Sequence, residues 1–317
     1  MDRLAKRFIF YSYRRNQKSG KTKKEVIKMK KILCILMAIA MLATLVACNS
    51  TKPSETKANI PGGKDHILTV GMECAYAPYN WTQMDSSNGA VPIVNNPGTY
   101  ANGYDVMIAK KIAEHYGWEL EVMALEWDGL HPALNAGTID VAIAGQSMTA
   151  DRMAEVDMAG PYYYATIVCL AAEKTPQAAA TGIGDLTGTC TSQIGTIWYD
   201  TCLPQIKGAT IQAPAASAPD MINALITGTV DFVCTDLPTA EGAVAKNPDL
   251  VVLNFAGTDG DFQFATEQER AENVNIGVSV GKGNAELQKM LNDFLATMNE
   301  ENFSSIMAEA IKIQPEI

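Results

Sequence analysis

Apolar and polar positions along this chain follow two rhythms, one of helices and one of buried strands, and the same join between them occurs twice. The stretch Ala133-Leu134-Asn135-Ala136-Gly137-Thr138-Ile139-Asp140-Val141-Ala142-Ile143 reads as a helix end, a left-handed glycine stop and an apolar strand. Residues 224–234 fit the same template, displaced by 91 positions. Strands fed by helices build parallel sheets, and such sheets bind ligands just beyond the carboxyl ends of their strands. Two copies predict two similar α/β lobes, each offering one edge to a shared cleft.

The rest of the pattern fills in these lobes. Residues 68–71 predict a strand that opens into Glu73-Cys74-Ala75-Tyr76-Ala77-Pro78-Tyr79. Asp105 is expected to cap a helix with Met107, Ile108, Ile112 and Ala113 on its apolar face, stopped by Gly117. A strand follows at 120–125, then Asp128 as cap of the helix entering the first repeat, then a strand at 141–144. Thr149 caps a short helix carrying Arg152, and 162–171 reads as one long strand leaving the first lobe. The second lobe begins near Asp185, with a strand through Thr191 and a Gly195-Thr196 loop ahead of the second repeat. An extended run at 274–280 returns the chain before helices at 285–298 and 303–311. Two extended runs flanking the second lobe predict a two-strand hinge. Lobe one then comprises 67–165 plus 275–317, and lobe two 166–274.

The N-terminus changes the picture of where this clamp works. Residues 1–31 are basic, and 32–47 form an apolar run that is short of the roughly 20 residues a spanning helix needs. Such a run suits a signal-peptide core, so 1–47 is expected to be removed. It ends in Leu45-Val46-Ala47-Cys48, which resembles the bacterial lipobox; the Cys48 thiol would take the lipid and anchor the protein without a spanning helix. Residues 49–66, rich in Ser, Thr, Lys, Pro and Gly, then read as a flexible tether behind the lipidated Cys48. Met29-Lys30-Lys31 is a more ordinary start for such a signal, so 1–28 reads as an extension.

Removing the signal sharpens the charge. Residues 1–47 hold twelve Lys and Arg against two acidic residues, so their loss takes the formal charge from −10 to −20. An anionic surface repels nucleic acid and anionic lipid and raises the local concentration of cations, although it serves plain solubility equally well. Cys34 falls in the signal and Cys48 in the lipobox, which leaves Cys74, Cys169, Cys190, Cys202 and Cys234. Cys190 and Cys202 could be bridged or separately buried. No cysteine–histidine set has metal spacing, and no nucleophile elbow, phosphate loop or zinc motif occurs, so no cofactor is expected. His66, His115 and His131 show no catalytic partner.

Four stretches together carry a family resemblance: Leu68-Thr69-Val70-Gly71, Gly103-Tyr104-Asp105-Val106, Trp127-Asp128-Gly129-Leu130-His131-Pro132-Ala133-Leu134, and Ala144-Gly145-Gln146-Ser147-Met148-Thr149-Ala150-Asp151-Arg152. In this order they resemble family 3 extracellular solute-binding proteins, the amino-acid receptors of ABC importers, over about residues 68–311. The resemblance implies a type II periplasmic-binding-protein-like clamp, a free amino acid as ligand, a membrane permease as partner and a monomer that is not an enzyme, held on the outer face of the cell membrane. It departs from the family at 83–102, an insertion where the family has a short turn.

Residue by residue, the resemblance also implies a site. An α-amino acid's carboxylate needs a planar bidentate donor, and Arg152, at the start of its helix, fits; an ion pair with Asp151 or Glu155 is its structural alternative. The ammonium falls to the Gly145 carbonyl, the Ser147 hydroxyl and the Asp236 carboxylate, with Asp236 also placed to cap the next helix. Tyr76 and Trp127 would flank the ligand's stem, and Gln193 and Thr196 belong to the loop closing over it, where the family often has Lys in place of Gln193. Arg152 and Asp236 balance a zwitterion, which leaves the Glu73 carboxylate over. A buried spare carboxylate is costly unless the ligand brings a cation or strong donors. The sequence therefore points to arginine, lysine or histidine, with glutamine or another neutral polar amino acid, or a cyclohexadienyl-dehydratase-like enzyme, as the alternatives.

Overall fold

The computed structural model describes residues 59–315, so the signal, the lipobox Cys48 and most of the tether lie outside the described residues. Two five-stranded sheets form the two lobes. In the first, the order is Glu119–Ala124, Ile67–Met72, Val141–Ala142, Ile276–Val280 and Asp157–Tyr163. The first three run parallel, and Ile276–Val280 is antiparallel to both its neighbours. The second sheet repeats the scheme with Ala209–Ile211, Gly188–Thr191 and Phe232–Asp236 parallel, then Ile167–Ala172 antiparallel to both Phe232–Asp236 and Leu250–Leu253. Among the described residues no helix is long and apolar enough to cross a membrane.

The duplicated motif folds alike in both lobes. Gly137 and Gly228 take φ of 68° and 71°, a conformation open to glycine at little cost. Around each, the same pair of bonds ends the helix: Gly137 N–H to Leu134 O and Thr138 N–H to Ala133 O, Gly228 N–H to Leu225 O and Thr229 N–H to Ala224 O. The motif's acid then reaches sideways. Asp140 Oδ2 accepts the Thr69 amide at 2.8 Å, and Asp231 Oδ2 accepts the Thr189 amide at 2.6 Å. Each acid thus ties the helix–strand turn to the neighbouring parallel strand.

Several local expectations are corrected. The extended run 162–171 is two strands in different sheets, broken at Tyr164-Ala165-Thr166 where the chain passes between lobes. Asp105 is not a cap: the helix Tyr104–Tyr116 begins one residue earlier behind Gly103, and Asp105 is buried in its first turn. Asp128 makes no cap bond either, because a single 3₁₀ turn, Trp127–Gly129, precedes the helix Leu130–Asn135. The expected extended return is present as the strand Ile276–Val280, and a helix at Glu267–Val274 precedes it; only Val274 of that helix is buried, so no apolar stripe marks it. The insertion is ordered into the fold. Val91–Pro92 and Tyr100–Asn102 join Ala75–Tyr76 and Asn80–Gln83 in a four-stranded sheet, and Ile93 pairs with Val122 at the open edge of the first large sheet.

Candidate functional site

The carboxyl ends of the parallel strands face one another across the cleft, and several polar contacts bridge it. Tyr76 donates to Asp236, Gln193 donates to Glu73, and Arg152 donates to the Gly195 carbonyl. The clamp is closed in this structure.

Glu73 follows the strand Ile67–Met72 directly. Its turn is held by Asn80, whose Oδ1 accepts the Cys74 amide at 2.7 Å, with Cys74 at φ 55°. Gln193 Nε2 donates to Glu73 Oε1 at 3.4 Å, while Oε2 is buried without a hydrogen-bond partner. Burial pushes the Glu73 carboxyl from 4.5 up to about 7, and the nearby charges of Glu126, Asp105 and Asp128 push the same way, against the Gln193 hydrogen bond.

Arg152 lies in the short helix Ala150–Glu155, whose cap Thr149 accepts the Arg152 amide at 3.2 Å. Its guanidinium donates to the Ser147 carbonyl at 2.5 Å and to the Gly195 carbonyl at 3.2 Å, and stands 5.4 Å from the centre of the Trp127 ring. Burial lowers its pKa from 12.5 to about 10, the Glu155 charge opposing. Among the described residues no carboxylate pairs with Arg152; Glu155 meets His131 at 3.1 Å instead. The surface ion pair weighed from sequence is therefore not what holds it. A cavity of about 460 Å³ opens beside it, lined by Trp127, Gln146, Thr149, Gly195 and Thr196.

Asp236 ends the strand Phe232–Asp236 and is fully buried. It caps the helix Leu237–Lys246 by accepting the Thr239 amide at 2.9 Å, and it also accepts the Thr239 hydroxyl at 3.1 Å. From the other lobe come the hydroxyls of Tyr76 at 2.7 Å and Tyr79 at 3.4 Å. Burial raises its carboxyl above the ordinary value of 3.8, and these hydrogen bonds oppose the rise. Tyr76 stacks on Tyr79 with centroids 4.9 Å apart and donates to Asp236, a contact absent from the sequence reading.

The remaining expected residues divide. Gly145, at φ 63°, lies against the Tyr76 ring, where a Cβ would come within 2.8 Å, and its amide donates to the Tyr162 hydroxyl. Ser147 is buried and meets Arg152 through its carbonyl rather than its hydroxyl. Thr196 donates to the Gln193 carbonyl at 2.7 Å and so shapes the loop from within. The cavity beside Arg152 touches Trp127 and Thr196 but not Glu73, Tyr76, Gly145, Ser147 or Asp236, so two clusters face the cleft. Sequence reasoning missed Asn80, Asp105, Tyr162 and Thr239; Asp105 stood in the quoted motif but was assigned to capping. Cys74, Cys169, Cys190, Cys202 and Cys234 are all free and buried, which resolves the question of a 190–202 bridge.

The description of bacterial extracellular solute-binding proteins, family 3, matches residues 68–310. The chain is 30% identical over 264 residues to a probable histidine-binding protein of Campylobacter jejuni, covering 80% of this chain and 94% of that one. It is 24% identical over 271 residues to an arginine-binding extracellular protein of Bacillus subtilis, with 83% and 96% covered. An amino acid ABC transporter substrate-binding protein of Streptococcus pneumoniae, solved bound to L-arginine, superposes with a TM-score of 0.65 at 23% identity, over 80% of this chain and 96% of that one. At that identity the likeness speaks to the fold.

Proposed function

The chain belongs to the bacterial extracellular solute-binding proteins of family 3, and on that premise we propose that it is the receptor of an ABC importer, closing on a cationic amino acid. One observation carries the choice of ligand. Glu73 presents a buried carboxyl oxygen with no partner, beside Gln193 where a lysine would have neutralised it. An ammonium, guanidinium or imidazolium supplies the missing donor and charge, whereas a neutral amide supplies only a donor. The names of the histidine- and arginine-binding relatives support the same class.

The residues divide the ligand between them. Arg152, with a forked guanidinium and no carboxylate of its own, takes the α-carboxylate; Asp236, the Gly145 carbonyl and Ser147 take the ammonium; Glu73 takes the side-chain cation. Tyr76 and Trp127 flank the stem, and Gln193 and Thr196 close the second lobe over it. Closure follows ligand binding because the closed state adds the contacts of the second lobe. The protein works as a monomer outside the cell, held by lipid on Cys48 after loss of residues 1–47, and delivers its ligand to a membrane permease.

A raised carboxyl such as Glu73 also suits a general acid, so a dehydratase on this fold is the second reading. A thermal-shift screen against the amino acids, run beside a turnover assay with prephenate, separates the two. A ligand at a hundred times its dissociation constant stabilises by about 2.7 kcal/mol. Shifts confined to arginine, lysine or histidine support the receptor, and prephenate turnover would replace it with the enzyme.

A further inference from the structure

Asp105 is fully buried, yet hydrogen bonds join it to both edges of the first lobe that the proposed function assigns to the ligand. Its Oδ2 accepts Asn80 Nδ2 at 2.8 Å and its Oδ1 accepts the Tyr162 hydroxyl at 2.7 Å. Each partner passes the connection on. Asn80 Oδ1 accepts the amide of Cys74, the residue after Glu73, at 2.7 Å. The Tyr162 hydroxyl accepts the amide of Gly145 at 3.0 Å. Tyr162 is itself fixed, stacked on Tyr104 at 5.7 Å, with the Tyr104 hydroxyl donating to its carbonyl.

The two residues held in this way need outside support. Cys74 at φ 55° and Gly145 at φ 63° both sit in the left-handed region, which a non-glycine residue such as Cys74 adopts at a cost of roughly 1–2 kcal/mol. The carboxylate is specifically required. A tyrosine hydroxyl has one proton, so it can accept from Gly145 and remain satisfied only if Asp105 accepts that proton. Asn80 makes the same demand on the other oxygen, since its Oδ1 is committed to Cys74. An asparagine at 105 offers one acceptor and one donor group, and at one of the two sides a donor would face a donor.

We infer that Asp105 is a positioning residue of the ligand site, fixing the spacing between the Glu73 turn and Gly145 through Asn80 and Tyr162. The inference rests on the receptor reading above for what these two edges hold. The test compares Asp105→Asn, Tyr162→Phe and the double variant with the parent, by arginine titration calorimetry and by amide hydrogen exchange at Gly145 and Cys74. Each single variant is expected to weaken arginine binding by about ten-fold or more, with the double variant no worse than the weaker single one, because the residues act in one chain. Gly145 should exchange faster in both singles, and Cys74 faster in Asp105→Asn. Variants that melt lower but bind arginine like the parent, with Gly145 and Cys74 exchange unchanged, would overturn the inference and leave Asp105 a plain stabiliser. A parent that binds no amino acid would sink the receptor reading instead; the exchange arm would then judge the positioning network alone, and unchanged Gly145 exchange in both singles would reject it.

Discussion

The Tyr76 hydroxyl donates to Asp236 across the cleft at 2.7 Å, joining the first lobe to the strand end of the second. A bond from a neutral donor to a buried carboxylate contributes roughly 1.5–3 kcal/mol. Tyr76→Phe leaves Asp236 with Thr239 and the longer contact from Tyr79, so the helix cap survives and the bridge at Asp236 is reduced to the Tyr79 contact. Arginine binding should weaken by about ten- to a hundred-fold. Calorimetry measures this, and small-angle scattering should show a less compact unliganded protein.

Glu73 sets a pH dependence of its own. Its carboxyl rises from 4.5 to about 7 in the fold, chiefly through burial, so the folded state favours the protonated form. The stability this contributes is complete below pH 4.5 and is lost as the pH climbs through 7, up to about 3 kcal/mol. Asp105, pushed up to about 6 by burial, adds in the same sense. Melting of the unliganded parent should therefore fall between pH 4.5 and 8 more than melting of Glu73→Gln, in which Asp105 is retained. Equal slopes would mean that Glu73 is ionised and solvated.

Arg152 makes its two contacts as a fork, to the Ser147 and Gly195 carbonyls, and stands beside the Trp127 ring. A lysine keeps the charge but not the planar pair of donors. Arg152→Lys should cost about 2–3 kcal/mol of ligand affinity with a melting temperature near the parent's, read by titration and thermal melts. Parent-like affinity would show that charge alone suffices.

The acids of the duplicated motif should be interchangeable in effect. Asp140→Asn and Asp231→Asn each weaken the tie to the neighbouring strand, at Thr69 and Thr189, and are expected to destabilise by about 1–3 kcal/mol in denaturant titrations. A loss confined to one of them would mean that the two lobes use the repeat differently.

Local features of this fold were legible in the sequence, and long-range ones were not. The repeat carried its own geometry, because a glycine stop and an apolar strand are local features, so the positions of Gly137 and Gly228 could be read directly. Thr149 and Asp236 were likewise readable as caps, since capping is settled within a few residues. The network of Asn80, Asp105, Tyr162 and Gly145 could not be read, because its members come from the small four-stranded sheet, the helix Tyr104–Tyr116, the large first sheet and the loop after Val141–Ala142, which meet only in the fold. Asp105, two residues after Gly103, has the spacing of a first-turn acid whether it caps or is buried. Tyr76 shows the same limit from the other side: its hydroxyl bond to Asp236 requires both lobes.

The most direct test of the account is titration of the parent and of Glu73→Gln with arginine, lysine, histidine and glutamine near pH 6.5, in buffers of differing ionisation enthalpy. The account predicts that the parent prefers the cationic ligands and releases a proton as Glu73 ionises against them. Glu73→Gln should lose that release and most of the preference over glutamine. Tight binding of glutamine by the parent, or arginine affinity and proton release unchanged in Glu73→Gln, would contradict it.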